Sequence, residues 1–320
     1  ADADAAGEAN RLVAVCDPSE ARRRGELDDG AGNLQTGAAR FDPETVRGYA
    51  DPPALFADPE VELVSLCTPT DTHVDLAIAA LAGGKHVLVE KPVALGEADV
   101  ERLREAAATA STLCMPAMCI RFWPAYRWLA ERVADRRFGR LRGLSLARLG
   151  VRPGWGSGFY ADPERCGGAL FDLHVHDADF VHACLGPPRS IAATGNLDHV
   201  SALWDYGPDG PRVQLEGGWD HPDGFPFRME YRAVFEAASV EFELGERPGL
   251  WVTRGDERRL ESLPDEDGYR AEVRALLAAV RAGHARPPAT VDEALDVTRL
   301  LHTTRSALSN PAFHPHSHPS

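Results

Sequence analysis

Residues 61–95 read as strand, helix and strand in immediate succession, and this constrains the chain more than any other feature. VELVSLCTP (61–69) is a short apolar run closed by a Thr-Pro turn. THVDLAIAALAGG (72–84) spaces Val74, Ile78 and Leu81 at helical intervals and stops at two glycines. HVLVE (86–90) is a second strand, delivering Glu90, Lys91 and Pro92 at its carboxyl end. Strands joined through helices pair in parallel, with right-handed crossovers. The same alternation runs outwards: LVAVCD (12–17) is an earlier strand, GEADVERLREAAATA (96–110) a helix, and TLCMPAM (112–118) a closing strand.

After about residue 120 the grammar changes. A helical AYRWLAERVADRRFG, a strand-like LRGLSLARLG, a Gly-rich loop and a helix near 169–185 come first. Then RSIAATG, VSALWDY, RVQLEGGW, FRMEYRAVFE, SVEFEL and LWVTRG follow, with turn signals GPDG and HPDG between some of them. These predict a largely antiparallel sheet. Two helices, 269–283 and 291–308, close the ordered chain. The expected fold is therefore α/β: a Rossmann-type parallel-sheet domain over 1–120, then an α+β domain with an open, largely antiparallel sheet over 121–310. The Pro-rich tail 311–320 is expected to be disordered and solvated, its three histidines notwithstanding.

With 320 residues the chain can bury two such cores. Its formal charge of −15, with no basic cluster, argues against nucleic acid and anionic membranes as partners. No apolar run approaches the ~20 residues of a membrane span, and ADADAAGEAN lacks the basic start and apolar core of a signal peptide. The six cysteines form no CxxC pair, and four of them sit in apolar surroundings, the pattern of buried thiols in a reducing compartment. The expected location is cytoplasmic.

In an open parallel sheet, ligands bind beyond the carboxyl ends of the strands. Three such ends carry polar residues: Asp17, the Thr68-Pro69-Thr70-Asp71 turn, and Glu90-Lys91-Pro92. A strand-end carboxylate such as Asp17 can accept hydrogen bonds from a ribose and repel a 2′-phosphate, although strand-end acids also occur by chance. In the second half, Asp172 and His176 are four apart, so a helix puts both on one face, with Asp179 continuing the stripe. The plainer reading of that pair is a helix-start acid and a satisfied core histidine.

Taken together, these segments resemble the glucose–fructose oxidoreductase / inositol dehydrogenase (Gfo/Idh/MocA) family. VSLCTPTDTHVDLAIAALAGGKHVLVEKPVAL is similar to that family's strand, Thr-Pro turn, His-led helix, GKHV and EKP run. GGALFDLHVHDADF (167–180) resembles its second signature, and RFWPAYRWL (121–129) the segment joining its two domains. The resemblance implies an oxidoreductase using NAD, with NADP possible, on a sugar, cyclitol or related polyol. It implies that Lys91 lies by the nicotinamide, completed by Asp172 and His176 from the second domain, with no metal. By the same analogy Thr68, Pro69 and His73 border the dinucleotide. Glu90 contacts the nicotinamide ribose or pairs with Lys91. Arg121 reaches cofactor or substrate, or forms an interdomain ion pair. Trp155, Tyr160 and Arg165 are candidates for the pocket wall from position alone. A homodimer or homotetramer is expected from the exposed sheet face.

The chemistry can be argued separately. Oxidising a secondary alcohol removes the hydroxyl proton as hydride leaves, and a group titrating near neutrality does this best, which suits His176. An ammonium at Lys91 stabilises the developing alkoxide. Asp172 can orient the imidazole or hold substrate hydroxyls.

One departure from the family pattern stands out. A G-x-G-x-x-G loop should precede the ribose acid by about 20 residues, yet Gly7 is the sole glycine before Asp17. The first strand and its phosphate loop are thus expected to lie outside this sequence, leaving their neighbouring strands unpaired and dinucleotide binding weak. That departure keeps open a non-catalytic dinucleotide-binding sensor or scaffold of the same fold. A third reading, a metal-dependent hydrolase, rests on His174-Val175-His176-Asp177 and requires those residues to form a strand.

Overall fold

The computed structural model describes residues 10–26, 41–154, 158–244 and 249–309. Trp155, the N-terminal stretch and the tail therefore lie outside the described residues. The chain divides into two compact units: one runs through Met118 and takes in Arg270–Leu295, and the other holds Cys119–Tyr269 and the remainder from Asp296.

The first unit is a parallel α/β body. Strands β1 (Ala14–Cys16) and β2 (Arg47–Tyr49) pair with each other, and β3 (Leu63–Leu66), β4 (His86–Val89) and β5 (Cys114–Pro116) form a second parallel sheet. Between them run α1 (Glu20–Arg23), α2 (Pro52–Phe56), α3 (His73–Ala82) and α4 (Glu97–Thr109). Among the described residues no strand joins the two sheets. Val87, Leu88 and Val89 are buried on both faces, as a covered parallel strand requires, and α3 buries Val74, Ala77, Ala80 and Leu81. Gly84, with φ of 73°, turns the chain from α3 into β4.

β2 is the element that hydropathy does not announce. Its sequence is Arg-Gly-Tyr, and polar side chains hold it: Arg47 Nε and the Tyr49 hydroxyl both donate to Asp58 Oδ2 at 2.9 Å, while Lys85 Nζ donates to the Asp58 carbonyl at 2.7 Å.

The second unit is built on an eight-stranded sheet. α5 (Pro124–Asp135) leads into β6 (Leu141–Leu149), and then α6 (Pro163–Cys166), α7 (Gly168–Asp172) and α8 (His174–Leu185) precede β7 (Ser190–Asn196). There follow β8 (His199–Asp205), β9 (Arg212–Gly218), β10 (Arg228–Phe235), β11 (Ser239–Leu244), β12 (Gly249–Arg254) and β13 (Glu257–Glu261). The order is β13-β12-β11-β10-β6-β9-β8-β7, antiparallel except where β6 meets β9 in parallel. α7 and α8 pack on one face of the sheet, against β6, β8 and β9. An aromatic cluster anchors α5 there: Tyr126 meets Phe180, Tyr231 and Phe242 edge-on, with ring centroids 4.9, 5.1 and 5.8 Å apart. Last among the described residues come α9 (Gly268–Arg281), most of which belongs to the first unit, and α10 (Val291–Ser309).

The helix expected over 169–185 is two helices. The helix is interrupted at Leu173, whose backbone stays in the right-handed region (φ −101°, ψ −53°) and whose carbonyl accepts from the His176 amide at 3.2 Å, the spacing of a tighter turn. The expected single helix is thus divided at Leu173, and Asp179, expected to continue the Asp172–His176 stripe, is buried. The strand required by a hydrolase reading is not formed either, since His174 and His176 both lie in the first turn of α8.

Candidate functional site

In the first unit the adjacent parallel strands β3 and β4 present their carboxyl ends together. Leu66 is in register with Val89, and the Glu90 amide donates to the Leu66 carbonyl at 3.0 Å. The Thr68-Pro69 turn and the Glu90-Lys91-Pro92 segment leave these two ends as neighbours. The Lys91–Pro92 peptide is cis. Thr68 and Pro69 are exposed, Glu90 and Lys91 half-buried.

His73 ties these two segments together. It is 1% exposed, with Nδ1 3.0 Å from the Pro92 carbonyl oxygen and Nε2 2.7 Å from that of Thr68. Burial, aided by the charge of Lys91, pushes the imidazole pKa down, so the neutral ring offers one N–H to two acceptors. The ring acts as a clasp between the turns, and its burial sets it apart from the exposed Thr68 and Pro69 beside it. Thr72 Oγ1 reinforces the turn by bonding to the Pro69 carbonyl at 2.7 Å.

Asp17 closes β1. Its Oδ1 accepts from the Ser19 amide at 2.8 Å, Arg22 Nη1 stands 3.5 Å from Oδ2, and Arg23 Nη1 donates to the Asp17 carbonyl at 2.6 Å.

In the second unit, Gly167 and Gly168 turn the chain into α7 with φ of 76° and 72°. A Cβ on Gly168 would lie 2.5 Å from the Leu197 carbonyl oxygen, so only glycine allows this approach to the strand side. From Phe171 to Phe180 every residue is buried except Asp172 and His176, which are half-buried. The helix break notwithstanding, these two are the positions this segment leaves accessible. Asp179 is not one of them: at 1% exposure it takes a two-pronged ion pair from Arg121, Nε to Oδ2 at 2.7 Å and Nη2 to Oδ1 at 2.6 Å. Arg121 is thus engaged within its own unit. Tyr160 meets Trp219 edge-on at 6.0 Å, and Arg165 stacks over Phe159.

Sequence patterning passed over Arg148. It follows Leu144 and Leu146 on the inward face of β6, so the period of two already assigned it to the interior. There it pairs with Asp177, next to His176.

Comparison with known proteins gives this arrangement its context. The profile described as "Oxidoreductase family, NAD-binding Rossmann fold" matches residues 2–118, and the "GFO/IDH/MocA C-terminal domain" profile matches residues 126–241. The chain belongs to the Gfo/Idh/MocA oxidoreductase family. Among its relatives, the myo-inositol 2-dehydrogenase of Thermotoga maritima is 32% identical over 153 residues, 47% of this chain and 44% of that protein. The chain thus spans less than half the length of that relative. The D-xylose 1-dehydrogenase (NADP(+)) 2 of Haloferax volcanii is 25% identical over 262 residues, 79% of this chain and 80% of that protein. A levoglucosan dehydrogenase solved in complex with NADH and levoglucosan shares the fold, with a TM-score of 0.72 at 18% identity over 82% of each chain.

The family's cofactor is a nicotinamide dinucleotide, and the donor set of the first unit fits one. A carboxylate ends β1, an exposed polar turn follows β3, and an acid and an ammonium follow β4, all at the carboxyl ends of parallel strands. Among the described residues no helix of the first unit begins in a glycine-rich phosphate loop.

Proposed function

We propose that the chain is an NAD(P)-dependent dehydrogenase or reductase that interconverts a secondary alcohol and a ketone on a sugar, cyclitol or related polyol. When bound, the nicotinamide supplies the hydride acceptor or donor. His176 takes the hydroxyl proton during oxidation and returns it during reduction. Lys91 stabilises negative charge on the reacting oxygen. Asp172 accepts hydrogen bonds from substrate hydroxyls or orients the imidazole. Asp17, Thr68, Pro69 and Glu90 bind the dinucleotide, and His73 holds the two turns that shape its site. The observation that carries this reading is the selective exposure of Asp172 and His176 in an otherwise buried ten-residue stretch.

The names of the relatives support a polyol substrate, since inositol and xylose dehydrogenases are among them. The sheet face away from the helices exposes Leu203 and Val234, at 56% and 43%, which supports self-association into a homodimer or homotetramer. Among the described residues no helix is long and apolar enough to cross a membrane; a cytoplasmic location is part of this proposal.

The test is NAD(P)H formation with a panel of inositols, aldoses and sugar ketones, alongside Lys91→Met and His176→Asn variants. Turnover of at least one polyol that falls ~10²-fold or more in each folded variant is expected. Tight dinucleotide binding with no turnover on any panel member would instead favour the sensor reading.

A further inference from the structure

The end of the β8–β9 ribbon carries a group of side chains that the dehydrogenase reading does not use. His199 opens β8, and Asp220 and His221 follow β9 after Trp219. One potential ligand atom from each of these three lies within 4.8 Å of the other two. His199 is flanked on both sides by acids: Nδ1 is 2.7 Å from Asp220 Oδ1, and Nε2 is 3.1 Å from Glu216 Oε1.

Local structure holds this imidazole in place. His199 pairs in register with Gly218, and a Cβ on that glycine would lie 2.6 Å from Nδ1, so the ring occupies space that another residue would fill. The Asn196 side chain accepts from the His199 amide at 3.1 Å, and Asp220 is bridged in antiparallel fashion to Val151. His221 stacks flat on Phe225, centroids 3.8 Å apart, and its Nε2 is shielded from water with no hydrogen-bond partner. A shielded ring nitrogen without a partner is uncommon and calls for a ligand or a reason.

We propose that His199, Asp220 and His221 form a binding site for a divalent late first-row transition-metal cation of the zinc or cobalt type. An imidazole between two carboxylates has two acceptors to serve, which either a second ring proton or a metal cation in its place satisfies. With a cation bound, Nε2–H would donate to Glu216 while Nδ1, freed of its proton, would offer its lone pair to the metal on the Asp220 side. That is the carboxylate–histidine–metal arrangement found around ligating histidines. Two imidazole nitrogens and one carboxylate suit zinc or cobalt and discriminate against calcium and magnesium, which require oxygen ligands. Zinc–ligand bonds of about 2.0–2.2 Å are reached by sub-ångström to ångström shifts of the exposed Asp220 and the loop histidine. A fourth position remains for water. The cation braces the β9–β10 connection against the start of β8, one residue from Trp219, which packs with Cys166, Ala169 and Leu173 behind α7.

The test uses the full chain with His314, His316 and His318 changed to alanine, so that the tail histidines cannot contribute. Titration with Co²⁺ is followed by visible absorption, and with Zn²⁺ by calorimetry. About one equivalent is expected, with a tetrahedral-type cobalt spectrum. Asp220→Asn and His221→Ala are each expected to weaken binding at least tenfold, and Glu216→Gln by roughly 10–100-fold through loss of its support of His199. Zn²⁺ is also expected to raise the melting temperature of the parent but not of the Asp220 or His221 variants. Absence of binding, or binding unchanged in those two variants, overturns the site.

Discussion

Arg148 and Asp177 meet with both side chains sealed from water, Nε to Oδ2 at 3.3 Å and Nη2 to Oδ1 at 2.8 Å, at 3% and 1% exposure. The pair joins the carboxyl end of β6 to the first turn of α8, and its acid is the residue after His176. Burying both charges costs desolvation on each side, which their mutual attraction offsets only while both are present. Removing one partner leaves an uncompensated charge. Arg148→Ala and Asp177→Ala are each expected to destabilise the second unit by about 3–5 kcal/mol, whereas the double change Arg148→Met/Asp177→Leu recovers most of that loss. Denaturant unfolding of the three variants checks this. Equal losses in the single and double variants would show that packing, not charge, is what the pair contributes.

His174, two residues before His176, makes a pH prediction with a definite sign. It is fully buried, and burial alone drives its pKa down to about 4. Neither ring nitrogen has a hydrogen-bond partner among the described residues. A histidine with a folded pKa below its unfolded value of about 6.5 stabilises the neutral-pH protein and loses that contribution as pH falls from ~6.5 towards ~4. The shift corresponds to roughly 3 kcal/mol over that interval. His174→Leu, which also removes two unsatisfied polar atoms, is expected to be near-neutral at pH 7.5 and to flatten the stability profile between pH 6.5 and 4. The urea midpoint measured across that range decides it; an unchanged slope would mean that the acid sensitivity resides elsewhere.

The clasp made by His73 separates positioning from chemistry. Replacing it by Ala leaves the Thr68 and Pro92 carbonyls without their shared partner, a loss of about 1–3 kcal/mol for a buried unsatisfied group. If its role is to hold the turns on either side of Lys91, His73→Ala lowers kcat and raises the KM for dinucleotide, and His73→Asn, which can still donate to one carbonyl, restores part of both. A purely structural role would lower the melting temperature without moving either kinetic constant in the folded fraction.

These sites differ in how far the sequence revealed them. β3, α3 and β4 were legible because an apolar run, a helical period and a Gly-Gly stop agree with each other over residues 61–95. β2 was not, since Arg47 and Tyr49 are held by the Asp58 carboxylate rather than by hydropathy. The pairing of β6 with β9 in parallel was equally hidden, because strand direction depends on how the chain returns after β8. For the candidate site, spacing brought Asp172 and His176 to notice, but the interruption at Leu173 is a backbone event that a period of four does not encode. Asp179 looked like a third member of the same face and is instead the buried partner of Arg121. The cluster of His199, Asp220 and His221 was invisible for a simpler reason: His199 precedes the adjacent pair by 21 residues and meets it only through the register of β8 with β9.

Coenzyme choice is the last consequence that the geometry reaches. Asp17 is oriented by the Ser19 amide, and both Arg22 and Arg23 lie against it, one on the carboxylate and one on the carbonyl. A carboxylate at the end of β1 accepts ribose hydroxyls and repels a 2′-phosphate, whereas a freed guanidinium attracts one. Arg22 is the more exposed side of the pair, with 58% of its side chain accessible. Asp17→Asn therefore removes the repulsion and releases Arg22 in one step. The ratio of kcat/KM for NADP to that for NAD is expected to rise at least tenfold, equivalent to about 1.4 kcal/mol of altered discrimination. Arg22→Ala in the same background should reverse most of that gain, because the attraction is then lost along with the repulsion. Fluorescence titration with both dinucleotides provides the parallel binding measurement. A ratio that stays constant in Asp17→Asn while affinity for both falls together would place Asp17 in the support of β1, away from the ribose.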